Sequence, residues 1–170
     1  MSFYTTGSGT VFESFAVYAD VTQRDSRLFE ANEGLTEAIV LALLKLSSAR
    51  LISMIEMSDW WREYNFTRDV SLQNDVRRVP VVNPFQIDAR EQEFKDLNVY
   101  HVMSEYILPR VADFGNPESA EMAKIKFYKE QALDLYKIIL ESGDWYDYSN
   151  NGTIVYTEKE PSRQNTVRTR

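Results

Sequence analysis

The sequence of 170 residues contains no cysteine and a single histidine, His101. Without cysteine it cannot form disulfides, thiolate nucleophiles, zinc fingers or iron–sulfur clusters. No apolar run approaches the roughly 20 residues that span a bilayer, and the first residues lack the basic and apolar stretches of a secretory signal. We therefore expect a soluble chain made in a reducing cytoplasm, without membrane association.

Motifs of common catalytic sites are also missing. The sequence has no nucleophile elbow, no glycine-rich phosphate loop and no pair of carboxylates in an apolar setting. A net charge of −7 argues against sequence-specific nucleic-acid binding, because an acidic surface repels phosphates. Apolar residues, by contrast, make up 44% of the chain and aromatic residues 13%, enough for one globular domain. We predict a protein that binds other protein surfaces, with no enzymatic activity and no cofactor.

Apolar periodicity predicts a mainly α-helical chain, folded as a small bundle of three long helices and a short N-terminal one. The first long helix runs from about Leu35 to Trp60. One continuous face of it comprises Leu35, Ile39, Ala42, Leu46, Ala49, Ser53 and Met57. Other apolar residues cover most of its remaining circumference, so we expect it to be both central in the bundle and shared with a second subunit.

The second and third long helices have clear boundary signals. The second covers Asp88 to Ala112, and Pro109 must kink or end it because proline donates no backbone hydrogen bond. The third has Asn116 as its cap, Pro117 at its first position and Gly143 as its stop.

The remaining segments divide the chain into regions. Residues 1–15 are predicted as a flexible arm and residues 16–143 as the bundle. The short helix of the bundle starts near Asp20, and a turn or second helical piece follows at Asp25 and Ser26. Within the bundle, residues 66–87 combine valines with prolines. This composition predicts an extended loop or loose hairpin whose valines pack against another surface. Residues 144–170 are predicted as a turn, a short strand and a basic arm.

The C-terminal turn also has the spacing of a calcium loop of the EF-hand type. Its candidate oxygen ligands are Asp147, Ser149, Asn151, Thr153 and Glu158, with Gly152 at the sharp turn. The expected extended segment and Pro161 make an exiting helix unfavourable, so a plain Asn-Gly turn is the competing interpretation and the one we adopt. His101 and Glu105, four apart on a helix, have a metal-compatible spacing, but a helix-face histidine without a metal is the simpler interpretation.

Candidate partner-binding residues come from the aromatic and basic segments. Tryptophan and tyrosine at the ends of the first and third helices either close the bundle or anchor an interface. Arginines suit bidentate pairing with carboxylates on a partner, although solvated charge is the alternative. The predicted contact residues are Arg77, Arg78, Val79, Val81, Val82, Trp145, Tyr146, Arg163, Arg168 and Arg170.

Taken together, the chain resembles the head–tail connector proteins of tailed bacteriophages, also called adaptor, head-completion or neck proteins. Four features carry this resemblance: the entry FAVYADVTQRDSRLFEANEGLTEAI, the loop with Val79-Pro80 and Pro84, the stretch YILPRVADFGNPESAEMAKIKFYKEQALDLYKIILESG, and DWYDYSNNGTIVYT. They span about residues 16 to 157. The family's turn is often richer in aspartate than Ser149-Asn150-Asn151, which weakens the calcium interpretation.

The resemblance implies a structural protein of the virion neck, assembled in the host cytoplasm. Such proteins form a ring, commonly of twelve copies, that binds the portal protein, extends the DNA channel and receives the next tail or neck protein. Twelve copies with a net charge of −7 each would make a strongly acidic ring, and we expect acidic residues to face the channel so that double-stranded DNA slides without sticking.

A second hypothesis belongs to another class. The chain could instead be a cytoplasmic helical adaptor or regulatory protein that binds one partner, with or without modulation by calcium. The size of the assembly that the chain forms distinguishes the two hypotheses.

Overall fold

A computed structural model describes residues 4–5, 11–32, 34–74, 76–115 and 119–159. Over these residues the chain is mainly α-helical and forms a small bundle, as the periodicity predicted. Two short strands and seven α-helices follow in the order β1 (Tyr4–Thr5), β2 (Phe12–Ser14), α1 (Tyr18–Arg24), α2 (Ser26–Ala31), α3 (Glu37–Met57), α4 (Asp59–Arg68), α5 (Glu91–Val102), α6 (Leu108–Val111) and α7 (Ala120–Ser142).

The predicted first helix corresponds to α3 but ends three residues earlier, at Met57, and a separate helix, α4, begins at Asp59. Ser58 separates α3 from α4: its hydroxyl accepts a hydrogen bond from the backbone N–H of Trp61 at 3.2 Å and donates one to the carbonyl of Ile55 at 2.6 Å. A serine that caps one helix while closing another produces a break without a loop. Helix α4 therefore occupies the start of the segment for which we expected extended chain.

The predicted second helix is continuous from Glu91 to Val111 but contains a π turn over Met103–Ile107. The N–H of Leu108 bonds to the carbonyl of Met103, five residues earlier. In a regular α-helix the ring of Pro109 would clash with the carbonyl of Glu105, so the wider turn lies where the helix must accommodate the proline. The helix then ends two residues after Pro109.

The third predicted helix, α7, begins later than the sequence indicated. Ser119 is its cap and accepts a hydrogen bond from the N–H of Met122 at 3.3 Å. The predicted cap Asn116 and first residue Pro117 lie outside the described residues. The stop at Gly143 is confirmed, since this residue adopts the left-handed conformation with φ 63° that glycine favours at a helix end.

The prediction of a flexible arm over residues 1–15 is wrong for the last residues of that range. Strand β2 pairs with β1 in an antiparallel ribbon, and Phe15 is fully buried. The N–H of Phe15 donates to the hydroxyl of Ser48 on α3 at 3.1 Å, which fixes this segment to the bundle. The helical pieces expected near Asp20 and after Asp25 are confirmed as α1 and α2.

Two expectations of extended structure are corrected. The described residues between 66 and 87 form neither a hairpin nor a continuous extended loop. After α4 come 3-10 turns at Val70–Asn74, Val76–Arg78 and Pro84–Gln86. The predicted strand near 153–157 is absent from the described residues 144–159, where a 3-10 turn covers Tyr156–Glu158. The backbone at Tyr146 makes an isolated bridge with Ile87 instead.

Helix α5 is the centre of the bundle, because it packs against both α3 and α7. One buried cluster joins α3, α5, α6 and the N-terminal helices. The other joins the C-terminal half of α3 to α4, the 79–87 segment and residues after α7. The second cluster contains the aromatic residues for which the sequence left two roles open.

Candidate interaction surfaces

The aromatic residues of α4 and those that follow α7 meet in one place. We call it the aromatic end and define it by Trp60, Trp61, Tyr64, Trp145 and Tyr146. The ring centroids of Trp60 and Trp145 lie 5.0 Å apart, and those of Trp61 and Tyr146 lie 4.9 Å apart. Apart from the partly buried Trp60, these side chains are almost completely buried. The aromatic end therefore closes the bundle.

Polar contacts hold the 79–83 segment, and Gln86 after it, against α3 and this aromatic end. The indole N–H of Trp61 donates to the carbonyl of Pro80 at 2.8 Å, and the N–H of Val82 donates to the carboxylate of Glu56 at 3.0 Å. Burial raises the pKa of Tyr146 to about 12, so its hydroxyl stays protonated and donates to Gln86 at 2.7 Å. The segment is held in place although it lacks regular structure.

The structure places the predicted contact residues in three different settings. Val82, Trp145 and Tyr146 lie in the chain's own core, so their prediction as direct partner contacts is corrected: they position the segment and the bundle end. Val79 is partly buried against the same cluster. Val81, in contrast, is 74% exposed, and the side chains of Arg77 and Arg78 are also exposed. Arg163, Arg168 and Arg170 lie outside the described residues.

The carboxylates of the candidate calcium loop bond to backbone amides. Asp147 accepts from the N–H of Gly152 at 2.7 Å, while Glu158 accepts from the N–H groups of Ser149 at 2.9 Å and Val155 at 3.0 Å. Asp147 and Glu158 are both buried. These hydrogen bonds stabilise the loop without a cation.

The other candidate ligands do not add to a cation site. The side-chain oxygen of Asn151 accepts from the N–H of Thr153 at 2.9 Å, and both residues are exposed. Within the described parts of the chain, no group of three or more histidine or acidic side chains is arranged to hold a metal.

The single histidine lies at a cleft between α3, α5 and α7. The cleft has a volume of about 200 Å³, and its lining includes Arg50, Leu97, Leu133 and Tyr136 as well as His101. The Nδ1 atom of His101 is 2.9 Å from the hydroxyl of Ser47. Burial lowers the pKa of His101, which keeps the imidazole neutral at pH 7.

The contact between His101 and Ser47 has a structural role. Ser47 is completely buried, so its hydroxyl is not accessible to a substrate. Glu105, the other half of the candidate metal pair, forms an ion pair with Lys129 at 3.1 Å. The histidine thus links the inner side of α3 to α5.

Helix α3 has one buried side and one exposed side. Leu35, the first residue of the predicted continuous face, precedes the helix and is buried. The other residues of that face lie on the outer side of α3, and we call Ile39, Ala42, Leu46, Ala49, Ser53 and Met57 the outer stripe. Ile39 is 37% exposed, Leu46 52% and Met57 66%, and both alanines are exposed. The buried side of the helix consists of Val40, Leu43, Leu44, Ser47, Ser48, Leu51 and Ile55.

The outer stripe carries no charge over its length. From Ile39 to Met57 it is about 27 Å long at 1.5 Å per residue. Lys45 and Arg50 flank it, and Lys45 is ion-paired with Glu13. Scattered exposed leucines are ordinary, but a continuous apolar row on one helix is typical of an interaction surface.

Helix α3 is also the one helix among the described residues that is long and apolar enough to cross a membrane. Its most apolar window has a mean hydropathy of 1.8, and 39% of that window is buried in the chain. Ser47 and Ser48 on its inner side bond to His101 and Asn98 of α5. These polar contacts are typical of a helix packed within a protein bundle.

No protein-family model, curated protein or solved structure matches this chain. The functional interpretation therefore depends on the geometry of the chain's own surfaces and on the resemblance described above.

Proposed function

We propose that this chain is a structural head-to-tail adaptor of a tailed phage, which acts in a ring beneath the portal and provides a docking surface for the tail or neck. The observation that carries the proposal is the outer stripe of α3. It is an uncharged apolar surface that the described residues of the chain leave uncovered. Burying such a surface against other protein subunits supplies the association energy that an assembly needs.

Two further observations support a role in assembly. The 79–83 segment is fixed at Trp61 and Glu56 yet presents Val81 to solvent, so an apolar side chain is held outward at a defined position. The acidic net charge of −7 suits a ring through which DNA passes without binding.

Electron microscopy of the full chain mixed with the portal protein of the same genome tests this proposal. We expect an additional ring beneath the portal. The Leu46→Asp variant should fail to join it, because it places a charge in the middle of the outer stripe. Val70→Asp, a change at an exposed apolar residue away from α3, is the matched control and should still assemble. Absence of any added ring with the unaltered chain would exclude the adaptor function.

The C-terminal arm gives a second test. Removing residues 161–170 deletes Arg163, Arg168 and Arg170 and should leave the helical signal in circular dichroism unchanged while abolishing attachment to the portal. Particles completed normally by the truncated chain would show that these arginines are not portal contacts. A single partner bound by one or two copies would favour the cytoplasmic regulatory hypothesis instead.

A further inference from the structure

The exposed side of α7 carries a pair of apolar residues, which is a surface separate from the outer stripe of α3. Phe127 and Ile138 are 54% and 52% exposed, and they lie about three turns apart on the same side of the helix. Glu130 and Asp134 lie between them along the chain and are exposed. We call these four residues the α7 patch.

The spacing of the α7 patch matches that of the outer stripe. Ala42 and Ser53 are separated by the same number of residues as Phe127 and Ile138, so both pairs repeat after about three turns. Large side chains on one helix pack best opposite small ones on another, because the backbones can then approach closely. Two bulky residues on α7 therefore fit the two small positions on α3.

The charges beside the two surfaces are also complementary. When Phe127 and Ile138 face Ala42 and Ser53, in either helix direction, Glu130 and Asp134 fall opposite the region of Lys45 and Arg50. Among the described residues, no ion pair within 4.0 Å involves Arg50, Glu130 or Asp134. These charges are thus available to a partner.

We propose that the outer stripe of α3 on one copy binds the α7 patch of the next copy. This inference rests on the proposed function and names the surfaces that join neighbouring copies. A symmetric pairing of two outer stripes is disfavoured, because antiparallel α3 helices would place Lys45 of each copy beside Arg50 of the other. An α3-to-α7 contact joins two different surfaces and leaves one of each unused. It therefore repeats from copy to copy, and it forms a closed ring when the rotation between neighbouring copies divides a full turn.

The cysteine-free sequence allows a direct cross-linking test. In the full chain, Ala49→Cys labels the outer stripe and Asp134→Cys labels the α7 patch, and a short bis-maleimide joins cysteines that lie close together. We expect the double variant to give a ladder of dimers, trimers and larger species. An equal mixture of the two single variants should stop at dimers. Either single variant alone should give no cross-linked species.

Charge reversal tests the register. Measured by sedimentation of the cysteine-free chain, Arg50→Glu should weaken self-association about tenfold, and adding Glu130→Arg should recover most of that loss. Arg27→Glu reverses an exposed arginine on α2 and is the matched control, for which no change is expected.

Two results would overturn the contact. Cross-linking of the Ala49→Cys variant to itself would indicate a symmetric α3 pair. A double variant that gives no cross-linked species, either at its highest soluble concentration or on the portal, would show that these surfaces do not meet. If rings still form on the portal and Leu46→Asp still prevents them, only this pairing is wrong and the adaptor function stands. If no ring forms at all, both fail.

Discussion

The aromatic end and the outer stripe of α3 are both rich in apolar side chains, yet only the first is buried. Trp61 and Trp145 are 1% and 0% exposed, whereas Leu46 and Met57 are more than half exposed. The aromatic residues find partners within the chain, from α4, the 79–83 segment and the residues after α7. The outer stripe has no such neighbour among the described residues. The difference shows that apolar content alone does not distinguish a core from an interface.

The largest effect is expected at the aromatic end. Trp61→Ala should lower the free energy of unfolding by about 3–5 kcal/mol, because it leaves a large cavity. It also removes the hydrogen bond to the carbonyl of Pro80. Urea unfolding followed by circular dichroism measures the change. Tyr156→Ala alters a side chain that is 89% exposed and should change the stability by less than about 0.5 kcal/mol. Equal effects of the two variants would contradict the closed aromatic end.

Leucine-to-alanine substitutions on the two sides of α3 compare how much the core and the outer stripe contribute to stability within one helix. Leu51→Ala should cost about 2–5 kcal/mol because Leu51 is buried. Leu46→Ala should change the stability of the isolated chain by less than about 0.5 kcal/mol. Denaturant midpoints of the two variants in parallel measure this difference. A large loss for Leu46→Ala would mean that the outer stripe is covered within the single chain.

A smaller effect is expected where the C-terminal loop joins the aromatic end. Glu158→Gln should cost about 1–3 kcal/mol, because a buried carboxylate that accepts two backbone hydrogen bonds is replaced by an amide. Glu141→Gln, at an exposed glutamate of α7, is the control. Millimolar calcium should leave the melting temperature of the unaltered chain unchanged. Heat of calcium binding in calorimetry would restore the EF-hand interpretation of the loop.

The smallest effect is a pH dependence at the inner side of α3. Burial holds the pKa of His101 below its ordinary value of 6.5. The unfolded chain therefore binds this proton more readily, and stability falls as the pH drops through about 6.5 toward the folded-state pKa. Thermal unfolding between pH 7.5 and 5 should show a shallower pH dependence in His101→Gln than in the unaltered chain. An equal dependence would assign the effect to other groups.

Helix positions were predictable because their causes are local. The apolar periods of α3, α5 and α7 and the stop at Gly143 depend on residues within a few turns. Helix α4 was missed although Ser58 followed by Asp59 is a local start signal, because the apolar period of the preceding helix concealed it.

The buried side of α3 could not be chosen from the sequence alone. Ser47 and Ser48 make that side look polar, and the groups that bond to them belong to His101, Asn98 and Phe15, all distant in the chain. Without those partners, the outer stripe is the more regular apolar face, and the sequence does not indicate which face packs in the bundle and which is shared with a second subunit.

The roles of the aromatic residues were undecided for the same reason. Trp61 and Trp145 come together only when α7 has returned along α5. Their burial is a property of the tertiary structure, which the separate clusters in the sequence do not reveal. The sequence predicted the kind of residue at the candidate surfaces, but not which surface faces outward.

The π turn at Met103–Ile107 has a consequence for how this helix tolerates changes in length. Shortening the segment by one residue would restore an ordinary helical turn, but the proline ring at 109 would then meet the carbonyl four positions before it. The shortening becomes compatible with the fold only if the proline is replaced in the same gene. Chains with a regular helix at this point should therefore differ from this one at two linked positions.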